Sequence, residues 1–329
     1  MNRVVVAAAS VFGGVVLLAG CTPAVPVAGV ASPVEVTAAV TEGQQERVLT
    51  QTLAELAAAD EAKSSDPLDV RVGGDAKTVR AAEYKRQSAE DGPEPDLLPE
   101  DTQAVYVTSA ETWPRIMVAV TEQPDEETTP VVMLWVQDDL ETPYQLRGWA
   151  HMVPGATLPR MPGPSVGAEE LAMDSSIGDT TLQEVTDNYF ELIRSGKSSD
   201  LNDTFAEDSY RDQLFTARTA LTASAKKADG KYVDTIEPQA DGTYALATAD
   251  GGALVFAPVH VTSVFSVEDA KVSVPAADEA LVDGKLVDKV TYEYLDFTVL
   301  NVPPADSEEL PGVVAADHHL VRVSPDGEK

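Results

Sequence analysis

Cysteine occurs once in the 329 residues, at position 21. No disulfide can form within the chain, so its stability must rest on packing. Basic residues are scarce as well: 23 Lys and Arg stand against 55 Asp and Glu, a formal net charge of −32. That sign repels phosphate backbones and anionic headgroups, which argues against nucleic acid as a partner and against a body lying flat on a bilayer. Apolar runs are short: the longest stretch of apolar and small residues, 4–19, falls below the roughly 20 that a membrane-spanning helix needs, and it breaks into Thr22 and Pro23. No HExxH, CxxC, P-loop or GxGxxG pattern is present, so the sequence offers none of the common metal, redox or nucleotide signatures. Aromatics make up only 6% of the chain, yet its hydrophobic share of 43% is too high for a disordered acidic tail, and a globular body is expected.

What is present begins with an address. Arg3 precedes the apolar run 4–19, the layout of a secretory signal over residues 1–20. Leu18-Ala19-Gly20-Cys21 resembles the lipobox of bacterial lipoproteins, in which a diacylglyceryl group is attached to the cysteine thiol and the chain is cut before it. The resemblance implies that Cys21 is lipidated, with palmitate among its acyl chains. The membrane partner would then be held through the lipid on Cys21, with the body on the extracytoplasmic face of the cell membrane. Two or more acyl chains on one residue suffice for stable anchoring, since each buried CH₂ contributes about 0.8 kcal/mol. Residues 21–40, small and rich in proline, read as a flexible tether, and cleavage before Cys21 would remove one charged side chain, Arg3.

Hydrophobic periodicity divides the remainder. Leu49, Leu53 and Leu56 recur at helical spacing until Pro67, and a second helix is expected over 76–87 with Asp75 as its N-cap. Strands are then expected at 104–108, 115–121, 131–137 and 144–152. The segment 154–178 holds prolines at 154, 159, 162 and 164 and is expected to be a linker between a first domain, 41–153, and a second, 179–329. The second half repeats the order. A capping box at Thr180 and Gln183 opens a helix striped by Leu182, Val185, Tyr189 and Ile193, and another helix carries Tyr210, Leu214, Ala217 and Leu221. Strands follow at 232–236, 244–248, 254–267, 271–274, 286–300 and 313–323. The fold class expected is α+β, as two related domains, each with helices followed by a curved antiparallel sheet. The element order resembles the cystatin-like and nuclear-transport-factor-2-like folds. The lipobox, the strand Thr112-Trp-Pro-Arg-Ile-Met-Val-Ala-Val-Thr-Glu122 and the stretch 144–155 resemble a group of uncharacterised lipoproteins of high-GC Gram-positive bacteria. That resemblance implies a domain of unknown function and carries no site residues beyond Cys21.

Candidate chemistry is thin. Gly163-Pro-Ser165-Val-Gly167 fits the G-x-S-x-G nucleophile elbow, but proline-rich residues precede Ser165 and helical periodicity resumes only near Thr180. His318 and His319 adjoin Asp317, yet neighbours on a strand point to opposite faces and cannot both reach one ion. His151 is expected to be hydrogen-bonded and partly buried. The acidic runs 122–127 and 306–309 lack calcium-loop spacing, and Lys77, Arg80, Lys85 and Arg86 are expected to pair with carboxylates. No residue is therefore expected to be catalytic, and none to hold a metal or cofactor. The function expected is a lipid-anchored envelope protein with a non-catalytic binding or assembly role, another envelope protein being the candidate partner. The alternatives are an envelope enzyme with a carboxylate base in a cone-shaped pocket and a serine hydrolase acting through Ser165.

Overall fold

A computed structural model describes residues 37–110, 113–123, 125, 128–268 and 271–325. Residues 1–36, which hold the expected signal, Cys21 and most of the tether, lie outside the described residues.

The first half opens with α1 (Glu42–Ala62), whose buried stripe is Val48, Leu49, Thr52, Leu56 and Ala59. Helix α2 (Gly74–Gln87) follows. Its N-cap is Gly73 rather than the expected Asp75, which lies in the first turn and points to His260. Four strands, β1 (Thr102–Val107), β2 (Arg115–Thr121), β3 (Val131–Gln137) and β4 (Gln145–His151), form an antiparallel sheet in sequence order. Burial along β2 and β3 is nearly continuous, as it must be when both faces of a sheet are covered. Met117, Ala119, Met133 and Trp135 face the helices, while Ile116, Val118, Leu134 and Val136 face the opposite side.

The second half has short strands β5 (Glu170–Leu171), β6 (Ser176–Ile177) and β7 (Thr180–Thr181), then α3 (Leu182–Ser195) and α4 (Ser209–Lys227). The capping box of α3 starts one residue later than expected: Thr181 Oγ1 accepts from the Glu184 N–H at 3.1 Å, and the Glu184 carboxylate accepts from the Thr181 N–H at 2.9 Å. Strands β8 (Lys231–Pro238), β9 (Tyr244–Ala247), β10 (Ala253–Ser266), β11 (Lys289–Val302) and β12 (Gly312–Pro325) complete a six-stranded sheet with β5. The long β10 pairs along one side with β11 and along the other with β9 and then β8. The strand expected at 271–274 is absent: Val272 makes one backbone bond to Val287, and after Pro275 the chain turns into a 3₁₀ helix (Ala276–Leu281). Val255, Ala257, Val259 and Leu300 pack against α3 and α4, whereas Leu254, Phe256, Phe297 and Val299 pack against the first sheet.

The result is a mixed helix-and-sheet fold of four layers, helix, sheet, sheet and helix. The apolar layer between the sheets is tight: an ideal Cβ on Gly148 would lie 2.5 Å from the Phe297 ring, so β4 can carry only glycine where β11 presses on it. Residues 36–329 form one compact unit. The boundary expected at 154–178 is thus not a gap between two separately cored domains, because Ile116, Leu134, Phe256 and Val299 share one cluster. Nor is that segment free. Met161 and Ala168 are buried, Ala168 exchanges backbone bonds with Val107 and Ser109 at 2.8 and 2.9 Å, and the Ala249 N–H donates to the Arg160 carbonyl at 2.7 Å. Proline and glycine composition signals the lack of regular structure, not mobility. The end of the expected tether is docked too, with the Ala38 N–H donating to the Ser165 carbonyl at 3.1 Å and Val40 buried.

A shared layer makes unfolding a single event. Leu134→Ala, at a fully buried position between the sheets, is expected to cost about 2–5 kcal/mol and to lower one cooperative transition read alike by tryptophan fluorescence and far-ultraviolet dichroism. Two separate transitions, only one of them displaced, would contradict the common core.

Candidate functional site

The edge strands of the two sheets, β4 and β12, come together at their ends. Met152 bridges to Ala315, and the Val153 N–H donates to the Val314 carbonyl at 2.9 Å. Just beyond this seam the chain gathers ionisable groups. His151 Nδ1 lies 2.8 Å from Asp317 Oδ2, and the same oxygen accepts from the His151 backbone N–H at 3.0 Å. One carboxylate therefore both closes the strand end and orients the ring.

Period-two alternation on β12 places Asp317 and His319 together and sends His318 the other way, as the sequence spacing requires. His319 approaches Asp317 at 3.9 Å through Nε2 and Asp96 at 3.8 Å through Nδ1, and its ring stands edge-on to Trp149. Asp96 comes from the loop after α2, and its carboxylate accepts from Trp149 Nε1 at 3.1 Å. That loop is clamped by α2: Arg80, itself 3% exposed, donates to the Asp96 carbonyl at 2.7 Å, to the Glu83 carboxylate at 3.0 Å and to both oxygens of Asp60. Glu83, Asp96, His151, Asp317 and His319 thus line one cavity of about 240 Å³. Of two larger grooves, one of about 700 Å³ adjoins this cavity, with Glu94 and Asp96 in both walls, and one of about 820 Å³ lies elsewhere. Neither is lined by a histidine.

The electrostatics follow from crowding. Burial, reinforced by the neighbouring charge of Asp96, pushes the Glu83 carboxyl up to about 7 despite its bond to Arg80. The bond to Asp317 raises the His151 imidazole, more than burial lowers it. His318 faces a separate network, with Nδ1 2.7 Å from Asp296 Oδ1 and its ring stacked on Tyr294 at 4.0 Å between centroids. Tyr210 donates to Asp296 at 2.6 Å, and burial holds the Tyr210 phenol well above its ordinary range.

Of the residues singled out in the sequence, His151 is hydrogen-bonded and half-buried as expected, and His318 and His319 part to opposite faces. Lys77, Arg80 and Arg86 pair with Asp69, Asp60 and Asp278. His260 meets Asp75 at 3.1 Å on the second sheet, apart from the pocket. Ser165 sits in an exposed turn followed by bridged and extended residues, with α3 starting only at Leu182; the strand, turn and helix of a nucleophile elbow are not formed around it. Glu83 and Asp96 were not visible as site residues. The signal was there in two parts, the i, i+2 spacing of Asp317 and His319 and the i, i+3 spacing of Arg80 and Glu83, but nothing local joins β12 to α2.

A four-layer α+β sandwich with an imidazole–carboxylate pocket at the seam of its sheets defines the class of protein. The profile of a domain of unknown function, DUF8094, matches residues 36–320, and the chain belongs to that family. No curated protein matches the chain. No solved structure matches it either.

The raised Glu83 carboxyl has a consequence for stability. Its ordinary value is 4.5 and its folded value about 7, so the folded chain binds an extra proton between these limits and loses stability as pH rises through them. His151 acts in the same direction, since a raised imidazole contributes below its unfolded value and loses that contribution as pH climbs through the folded one. Asp96, Asp317, His319 and Arg80 surround both groups. In Glu83→Gln, which keeps the acceptor for Arg80, the fall in thermal stability from pH 5 to pH 8 is expected to shrink by on the order of 2–3 kcal/mol. An unchanged slope would place the extra proton elsewhere.

Proposed function

We propose that the chain is a lipid-anchored extracytoplasmic protein, held in the cell membrane through Cys21, whose folded body binds a ligand in the pocket at the sheet seam and does no covalent chemistry on it. The observation that carries the binding half of this reading is the convergence of five ligand-type side chains from α2, the following loop, β4 and β12. No serine, threonine, cysteine or lysine lines that pocket among the described residues. The anchoring half rests on the lipobox sequence and on the acidic surface, which favours a body suspended away from anionic headgroups. Among the described residues no helix is long and apolar enough to cross a membrane. Membership of the high-GC Gram-positive lipoproteins belongs to the same reading. So does kinship of the two halves, each a helix pair followed by an antiparallel sheet in the order of the cystatin-like and nuclear-transport-factor-2-like folds.

Two experiments address the halves separately. A clickable palmitate analogue is expected to label the wild type and not Cys21→Ser, which should leave the membrane fraction or remain uncut; equal labelling of both would end the lipoprotein reading. For the body, Asp317→Asn and His151→Gln are expected to reproduce the phenotype of a deletion strain, while Ser165→Ala is silent and the purified protein is inert to a fluorophosphonate. Stoichiometric labelling lost in Ser165→Ala would make the protein a serine hydrolase instead.

A further inference from the structure

The donor set of the pocket says what class of ligand it suits. Its side chains form two overlapping three-residue groups, Glu83 with Asp96 and His319, and Asp96 with His151 and Asp317, and within each group the ligand atoms lie within 4.8 Å of one another. Ligand atoms around a tetrahedral zinc ion, with bonds of about 2.0–2.2 Å, stand roughly 3.3 Å apart. Contraction by up to about 1.5 Å would bring either group to coordination distance, and Asp96 belongs to both.

Three further features set this cluster apart from a chance meeting of acids. The donors are mixed: two imidazoles with three carboxylates suit a borderline first-row cation better than magnesium or calcium, which prefer oxygen alone. Their outer partners are already in place. Trp149 Nε1 holds the Asp96 carboxylate, Arg80 holds Glu83, and Asp317 occupies Nδ1 of His151, which leaves Nε2 of that ring free, the arrangement that outer hydrogen bonds give to metal-ligating histidines. The charge is also unbalanced: three carboxylates converge, with Glu94 beside them, while Arg80, which bonds Glu83, is shared with Asp60, and Arg86 at the pocket wall pairs with Asp278. Half-buried like charges crowded in this way favour a cation between them.

We propose that the pocket binds one divalent first-row transition-metal ion, with Asp96 as the common ligand, His151 through Nε2 and His319 as nitrogen donors, and Glu83 completing the set, while Asp317 holds the His151 ring from outside. The inference rests on the pocket being the binding site of the protein, and it names the ligand. The ion would join α2 and its loop to both sheets, so binding would stabilise the fold as well as fill the site.

The test uses the untagged full chain in detergent, stripped with a chelator and titrated with zinc and with cobalt. One equivalent of either ion is expected to bind and to raise the melting temperature, and cobalt, with its open d shell, to quench Trp149, whose ring centroid lies 5.7 Å from that of His319. His319→Gln and His151→Gln, shown to be folded by dichroism, are each expected to weaken zinc binding at least about tenfold, and the double variant to abolish it. His260→Ala, two strands across the sheet from His319 and outside the pocket lining, should bind as the wild type does. Excess magnesium or calcium should not compete. Absence of zinc and cobalt binding, binding unaffected by both pocket substitutions, or displacement by calcium would each overturn the proposal. If no metal binds and Asp317→Asn still reproduces the deletion phenotype, the pocket stands as a binding site for another ligand. If metal binds and that variant is phenotypically silent, the metal site stands and its equation with the physiological function falls.

Discussion

Everything in the molecule is arranged around one apolar layer, the face-to-face contact of the two sheets. Ile116, Val118 and Leu134 on one side and Leu254, Phe256 and Val299 on the other have no water to turn to, and the strands that carry them are buried on both faces. At roughly 25 cal/mol per Å² of buried apolar area, this is the largest stabilising term open to a chain that can form no disulfide. It also fixes the spacing of the sheets. Where they press closest, Phe297 fills the volume that a side chain at position 148 would need. The helices are then forced outward onto the remaining faces, and α2 reaches across to the second sheet as well, where Ala82 packs with Val290 and Val323.

Most of the elements were legible in the sequence because their signals are local. The stripe of Leu182, Val185, Tyr189 and Ile193 and the alternation along β10 each report a period and a buried side. The expected strands 115–121 and 131–137 coincide with β2 and β3 to the residue. What the sequence could not report was which buried face meets which. Continuous burial in β2 and β3 marks a sheet covered twice without naming the cover, so two halves with the same order of elements read as two domains with two cores. The linker misled for a related reason. Its prolines and glycines exclude regular ladders, but irregular backbone can still be pinned by single bonds such as those from Ala168 and to Arg160. Asp75 and the pair Thr180 and Gln183 were one- or two-residue errors of capping: the N-cap of α2 is Gly73, which has no side chain to announce it, and Thr180 and Thr181 offer the same hydroxyl.

The pocket was beyond reach for a deeper reason. Glu83 and Asp317 are more than two hundred positions apart, and their meeting depends on the edge of one sheet finding the edge of the other. Histidine counting pointed at His318 and His319 as a pair, but strand geometry divides them: His319 enters the pocket and His318 joins Asp296, Tyr210 and Tyr294 on the opposite face. Asp317 was noted only as their neighbour. The useful pairing was i with i+2, Asp317 with His319, and its third member, His151, comes from the other half of the chain.

Edge strands expose unpaired backbone groups, and proteins cover, shorten or charge them. In β4 the outer edge is covered twice, at Leu146 by residues 71–73, whose backbone exchanges bonds with it, and at Met152 by β12. Between and beyond those contacts the backbone cannot be satisfied by a neighbouring strand, and it is there that the His151 N–H turns to a side chain, the carboxylate of Asp317. The ionisable pocket is thus the site at which two independently twisted sheets cease to match in register and side chains take over from the ladder. A seam of this kind has the two properties a binding site needs. Its groups are held by rigid strands and by a helix clamped through Arg80, yet they are not consumed by secondary structure, so their remaining lone pairs stay directed into the cavity.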